Sequence, residues 1–241
     1  MALKGARECG MYRRMVGVVL VCSLFSTVGW CDETAGEEID NLSRALARHA
    51  SPCTGPLPVG DEILQEEIHD DALAMDGVRL LLRIGDISPR DAAAVWWDQP
   101  AQAAELFPGS NFEFLAGDNS DYGFVFKTTA ELPAVGVLTQ IARYTAESRP
   151  GGSYAITVEA FLENVLWHSG RGRYTFCRAS QHETVLEVES LYDAKVPLET
   201  LNAAAVAAAQ AHQQRYMSGR RPTRDERAMF RDALRTSRHW E

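Results

Sequence analysis

Four side chains stand out as able to do acid–base or nucleophilic chemistry: His69, His168, Cys177 and His182. His69 lies in Glu66-Glu67-Ile68-His69-Asp70-Asp71, the densest polar cluster of the chain. On a helix, Glu66 and Asp70 would share a face, and an imidazole in the same turn could complete a divalent-cation site or an acid–base pair. No second histidine-bearing motif follows at ligand spacing, so the cluster reads as a solvated helix face and no metal is assigned to it. His168, Cys177 and His182 fall on neighbouring segments, where a Cys-His pair forms only if strand register brings thiol and imidazole within reach. Adjacent strands bring many residue pairs together without chemistry, which makes this the weaker reading.

Two loops imitate ligand-binding motifs incompletely. Asp118-Asn119-Ser120-Asp121-Tyr122-Gly123 places oxygen-bearing residues before a glycine, but Thr129 stands where a calcium loop needs its bidentate glutamate, so a turn is expected. Ser169-Gly170-Arg171-Gly172 lacks the lysine of a phosphate loop and the strand-Ser-helix setting of a nucleophile elbow, and reads as a hairpin join. Aromatic residues such as Trp96, Trp97, Phe124 and Trp167 could line a ligand cavity, with core packing the default. No reaction signature stands out and no cofactor is expected. The enzymatic alternative is a secreted or periplasmic hydrolase using a His/carboxylate or Cys/His site.

Compartment is easier to read. Met15 to Gly29 is an apolar or small run of 15 residues preceded by Arg13 and Arg14. It is short for a spanning helix, which needs about 20 apolar residues, and fits a secretory signal over residues 1–30 with the mature chain beginning near Trp30. The alternatives are an uncleaved anchor, or a lipid anchor at Cys31, where Trp30 replaces the small residue such a site favours. Cys9 and Cys22 would leave with the signal, and the three remaining cysteines imply one disulfide and one leftover thiol. Cys53 with Cys177 is the natural pair, and closing so long a loop would stabilise the fold by a few kcal/mol on the entropic account.

Charge divides along the chain. The formal charge of −9, from 33 acids against 24 bases, argues against a general nucleic-acid binder. Residues 215–241 hold eight arginines against four acids, and residues 1–29 carry +3, leaving −16 on the body. The basic tail, residues 217–241, contains Arg220, Arg221, Arg224, Arg227, Arg231 and Arg235 beside an apolar stripe of Met229, Phe230, Ala233 and Leu234. Such a segment is a basic helix or a flexible extension, able to dock on the acidic body or to lie on an anionic membrane surface.

The elements that must position these residues follow from periodicity. Residues 33–109 read as a helical part: 36–49 and 61–75 carry apolar residues at helical spacing, 78–84 is a densely apolar run that suits a buried helix or a strand and is taken as helix, Ser88-Pro89-Arg90-Asp91 opens a capped helix, and Gln99-Pro100 opens another. Residues 110–216 read as an α+β part. Strands are expected over 111–116 and 122–128, a helix over 132–146, and an antiparallel meander over 153–168, 173–179 and 183–192. In the last strand Glu187 and Glu189 alternate with Leu186 and Val188, giving one wet and one dry face. A long alanine-rich helix over 197–216 can approach the meander closely, and Thr223 with Glu226 forms a capping-box pattern. The order of signal sequence, small sheet and alanine-rich C-terminal helix resembles that of helix-grip lipid-binding domains; no motif here is specific to them, and no family is assigned.

The fold expected is thus α+β: a helical N-terminal part, then an antiparallel meander covered by the long C-terminal helix. The function expected is that of an exported cell-envelope or periplasmic protein, non-catalytic, binding an envelope protein or an apolar small molecule through its sheet-helix interface. Nucleic acid is not expected as a partner, and peripheral membrane contact would run through the basic tail.

Overall fold

The computed structural model describes Cys53 and residues 57–106, 110–132, 136–160, 164–180 and 183–236. The expected signal segment, the helix over 36–49, Cys31 and His182 lie outside the described residues.

Eight strands form one sheet in the order β1-β2-β8-β7-β6-β5-β4-β3, every neighbouring pair antiparallel. They are β1 (Ile63–Asp70), β2 (Met75–Arg83), β3 (Asn111–Ala116), β4 (Gly123–Leu132), β5 (Gly136–Arg149), β6 (Ser153–Ala160), β7 (Trp167–Arg178) and β8 (Thr184–Ala194). Helices α1 (Pro89–Trp97) and α2 (Gln99–Leu106) follow β2, and α3 (Leu198–Met217) and α4 (Arg224–Thr236) follow β8. Among the described residues no helix is long and apolar enough to cross a membrane.

The helical N-terminal part is not what forms. Residues 61–84 make the β1–β2 hairpin, with Ile63 opposite Leu82 and Asp70 opposite Met75. Leu64 and Ile68, four apart, satisfy a helical period, but even spacing also satisfies a strand, and pairing decides between them. Asp70 closes the turn by accepting from the backbone N–H of Ala72 at 2.9 Å and of Leu73 at 3.1 Å. β2 then finds hydrogen-bonding partners on both edges, β1 and β8, and buries Val78, Leu80 and Leu82 completely. Among the described residues of this part, helix is confined to Pro89–Trp97 and Gln99–Leu106. Ser88 caps α1 by accepting from Asp91 N–H at 3.1 Å, and Gln99 and Gln102 return amide N–H groups to the carbonyls of Trp96 and Val95.

The helix expected over 132–146 is also a strand. From Gln140 to Ala146 burial alternates strictly, Gln140, Ala142, Tyr144 and Ala146 inward against half-buried Ile141, Arg143 and Thr145. That period, with β-branched and aromatic residues between β4 and β6, outweighs a three-and-four spacing of small side chains.

The inner face of the sheet is apolar. One cross-strand row runs Leu80, Val188, Tyr174, Ile156, Ala146, and the next Leu82, Leu186, Phe176, Tyr154. Three helices cover it: α3 lies over β2 and β8, α1 over β6 and β7, and α4 over β5 while packing on α1. Gly77 allows β2 to approach β8, since a Cβ there would stand 1.8 Å from the Ser190 carbonyl oxygen.

The outer face carries alternating charge. Arg79 of β2 reaches Glu66 of β1 at 3.5 Å and Glu187 of β8 at 3.1 Å; Arg173 of β7 reaches Glu189 of β8 at 3.6 Å, and Arg171 reaches Glu159 of β6 at 2.7 Å. The expected wet face of β8 is therefore largely closed, with Glu187 only 4% exposed. Pairing with arginines on both neighbouring strands is what makes burying these carboxylates tolerable. A disulfide joins Cys53 to Cys177 on this face, with Cα atoms 6.3 Å apart, and Cys53 N–H donates to Glu187 Oε2 at 2.6 Å.

Candidate functional site

The site with the most suggestive chemistry lies between α3 and the centre of the sheet. Successive turns of α3 present Asn202, Ala205, Ala209, His212 and Tyr216, a three-and-four spacing that puts all five on one buried face. The alanines have high helix propensity and no bulk, so the helix axis can sit close to the apolar rows beneath. Its C-terminal end is fastened by two long-range hydrogen bonds: Tyr216 O–H donates to the Ala92 carbonyl at 2.8 Å, and Gln213 Nε2 donates to the Arg83 carbonyl at 2.9 Å.

Under the middle of α3 a cavity of about 10 Å³ is lined by Tyr174, Leu186, Val188 and Ser190 from the sheet and by Ala205, Ala209 and His212 from the helix. That is room for about one water. No wall residue carries a formal charge at neutral pH. Burial pushes the His212 pKa down to about 3, with Arg215 on the next turn acting in the same direction, so the imidazole is neutral. The His212 ring centroid lies 6.5 Å from that of Trp96, which in turn sits 4.1 Å from Tyr174. Trp96 Nε1 and Asn202 Oδ1 are buried without hydrogen-bond partners. Buried polar groups left unpaired cost on the order of 1–3 kcal/mol each. The closed interface is therefore apolar in its walls and incomplete in its hydrogen bonding.

The residues singled out for catalysis are not brought together there. His69 lies exposed at the end of β1 and pairs with Asp76 at 2.7 Å and Asp71 at 3.3 Å, which raises its pKa. Glu66 points to Arg79, and Asp70 caps its own turn, so the expected shared helix face does not exist. His168 is exposed on β7. Cys177 is bonded to Cys53 and supplies no thiolate for a Cys-His pair. Among the described residues no group of three or more His, Cys, Asp or Glu could hold a metal ion. The loop that imitates a calcium site is a turn in which Asp118 accepts from Ser120, while Asn119 reaches Asp98 and its carbonyl accepts from Trp97 Nε1.

The arginines of the tail act mostly within the molecule. Thr223 and Glu226 form the reciprocal capping box, and Arg220 pairs with Glu226. Arg221 donates to the Asp86 carbonyl at 2.7 Å and Arg227 to Asp91 at 2.9 Å. Arg231 and Arg235 share Asp232, and Arg224 is exposed. The apolar stripe is spent on docking: Phe230 is fully buried, its ring 6.1 Å from Trp97 and 5.8 Å from Tyr154. Sequence reasoning missed His212 because a histidine among alanines shows neither its burial nor its neighbours until the sheet is placed beneath it.

No protein-family model and no curated protein sequence matches the chain. Solved structures do share its fold. A STAR-related lipid transfer protein from Xanthomonas axonopodis, fragment 25–204, superposes with a TM-score of 0.53 at 15% identity, over 66% of this chain and 96% of that one. Human StAR-related lipid transfer protein 5 superposes with a TM-score of 0.50 at 9% identity, over 77% of this chain and 95% of that one. At such identities the likeness is one of architecture: an α+β fold with an eight-stranded antiparallel sheet and C-terminal helices, as in StAR-related lipid transfer domains.

Proposed function

We propose that this chain is an exported, non-catalytic binding protein that takes an apolar molecule between α3 and the inner face of its sheet. The observation that carries the reading is the alanine face of α3 closed over an uncharged, apolar wall that keeps a small cavity. Its fold is shared with proteins described as lipid transfer proteins, which supports the same ligand class. Drug-sized ligands occupy pockets of about 300–1,000 Å³, so binding requires α3 to move away from β7 and β8. The build of α3 favours this. Alanine buries little area per residue, so less apolar contact opposes displacement than a leucine-rich face would provide; the hydrogen bonds of Gln213 and Tyr216 act in the opposite sense and hold its C-terminal end.

Export rests on the apolar run after Arg13 and Arg14 and is supported by the Cys53–Cys177 bond, a linkage that persists in oxidising compartments. Native mass spectrometry of oxidised protein, exposed to a total lipid extract and then washed, tests the ligand reading. An adduct of discrete mass that organic extraction removes is expected; protein that remains at its bare mass across lipid classes would count against it.

A further inference from the structure

The wall of the α3 cavity says more about the ligand than that it is apolar. Leu186, Val188, Ala205 and Ala209 offer only hydrocarbon, and the ring of Tyr174 lies among them. Against these stands one imidazole, that of His212, 4% exposed. Since burial keeps it neutral, it has one N–H to donate and one lone pair to accept. Ser190 contributes a hydroxyl to the same wall, and Trp96, beside both Tyr174 and His212, holds an indole N–H without a partner. No cation lines the cavity. Arg215, half-buried on the next turn, is felt by His212 but forms no part of the wall.

We propose that the molecule held between α3 and the sheet is uncharged and carries one hydrogen-bonding oxygen, a hydroxyl or a carbonyl, which His212 receives. This rests on the apolar-ligand reading above and narrows it. A neutral imidazole serves either oxygen, donating to a carbonyl or accepting from a hydroxyl. A carboxylate in the same place would be buried without a compensating charge, which is far costlier than an unpaired neutral group. His212 is thus the specificity-determining residue, and the hydrocarbon walls supply affinity that does not depend on it.

Displacement of the uncharged fluorophore N-phenyl-1-naphthylamine from the oxidised full chain tests this, with decanol, 2-decanone and decanoate as competitors at about pH 8, where the acid is ionised. Decanol and 2-decanone should act at concentrations about tenfold below decanoate, and His212→Leu should weaken both by about tenfold, the loss that follows when a buried polar group goes unpaired. The fluorophore and decanoate should bind His212→Leu as before. His212→Gln, which keeps a donor and an acceptor, should retain the preference and serves if the leucine variant does not fold. Decanoate displacing as well as decanol, neutral competitors unaffected by His212→Leu, or a decanoate preference abolished by Arg215→Gln would each overturn the inference. Failure of the unaltered protein to take up the fluorophore would instead overturn the apolar-ligand reading on which it rests.

Discussion

His212 is a titratable group held where it cannot titrate normally, and that has a thermodynamic consequence. Its pKa falls from the ordinary 6.5 to about 3 in the folded protein, because burial disfavours the imidazolium. Between those values the unfolded chain binds a proton that the folded chain refuses. Stability is therefore fully present above about pH 6.5 and is lost as pH falls towards 3, with a limiting slope of about 1.4 kcal/mol per pH unit from this group. Urea denaturation at a series of pH values should show the His212→Gln variant with a shallower acid limb by up to that amount. Equal slopes in both proteins would mean that His212 is not buried neutral.

At the scale of elements, the β2–β8 junction is the least forgiving contact. A methyl group at Gly77 would meet the Ser190 carbonyl, a backbone atom that cannot yield without breaking the ladder of Gly77 with Leu191. Gly77→Ala should cost at least about 3 kcal/mol in chemical denaturation, well beyond the usual price of a surface Gly→Ala change. That junction also explains what the sequence concealed. Ser88-Pro89, the Thr223/Glu226 box and the three strands within 153–192 were legible because their signals are local: a capping side chain, a proline at the first turn, alternation between turn residues. The join expected at Ser169-Gly170-Arg171-Gly172 was not, since those residues lie within β7, Arg171 and Gly172 pairing on both sides, and β6 ends at Ala160. β1, β2 and β5 were not. Leu64 and Ile68, or Leu138, Ile141 and Ala142, fit a helical period as well as a strand, and β2 becomes a strand through partners more than a hundred residues away on β8. His212 was hidden for the same reason, since the inward face of an alanine helix is defined only by the sheet it covers.

At the scale of the whole molecule, the Cys53–Cys177 disulfide joins the segment at Cys53 to the sheet and closes a span of 124 residues. Replacing both cysteines by serine should lower stability by about 5 kcal/mol on the loop-entropy account, read as a lower urea midpoint with a steeper slope, because the unfolded chain loses its cross-link and exposes more surface. An unchanged midpoint would show that the linkage constrains little. The basic helix α4 has its apolar stripe committed to Trp97 and Tyr154, so any contact with an anionic membrane would be made by its arginine face alone. On that proposal Arg224→Gln, Arg231→Gln and Arg235→Gln together should reduce sedimentation with phosphatidylglycerol vesicles at low salt while leaving thermal stability near its original value. Binding that is insensitive to salt and to these changes would remove the membrane role.

The central claim, that an apolar molecule enters between α3 and the sheet, is tested most directly by hydrogen–deuterium exchange of the oxidised protein with and without saturating decanol. Because α3 must move for entry, its amides over Leu198–Met217 should exchange faster than those of α1 in the free protein. With ligand bound, slowing should concentrate in α3 and in the β7 and β8 peptides that contain Tyr174, Leu186 and Val188. Exchange unchanged by decanol, or slowed only on α4 or the outer face of the sheet, would contradict the account.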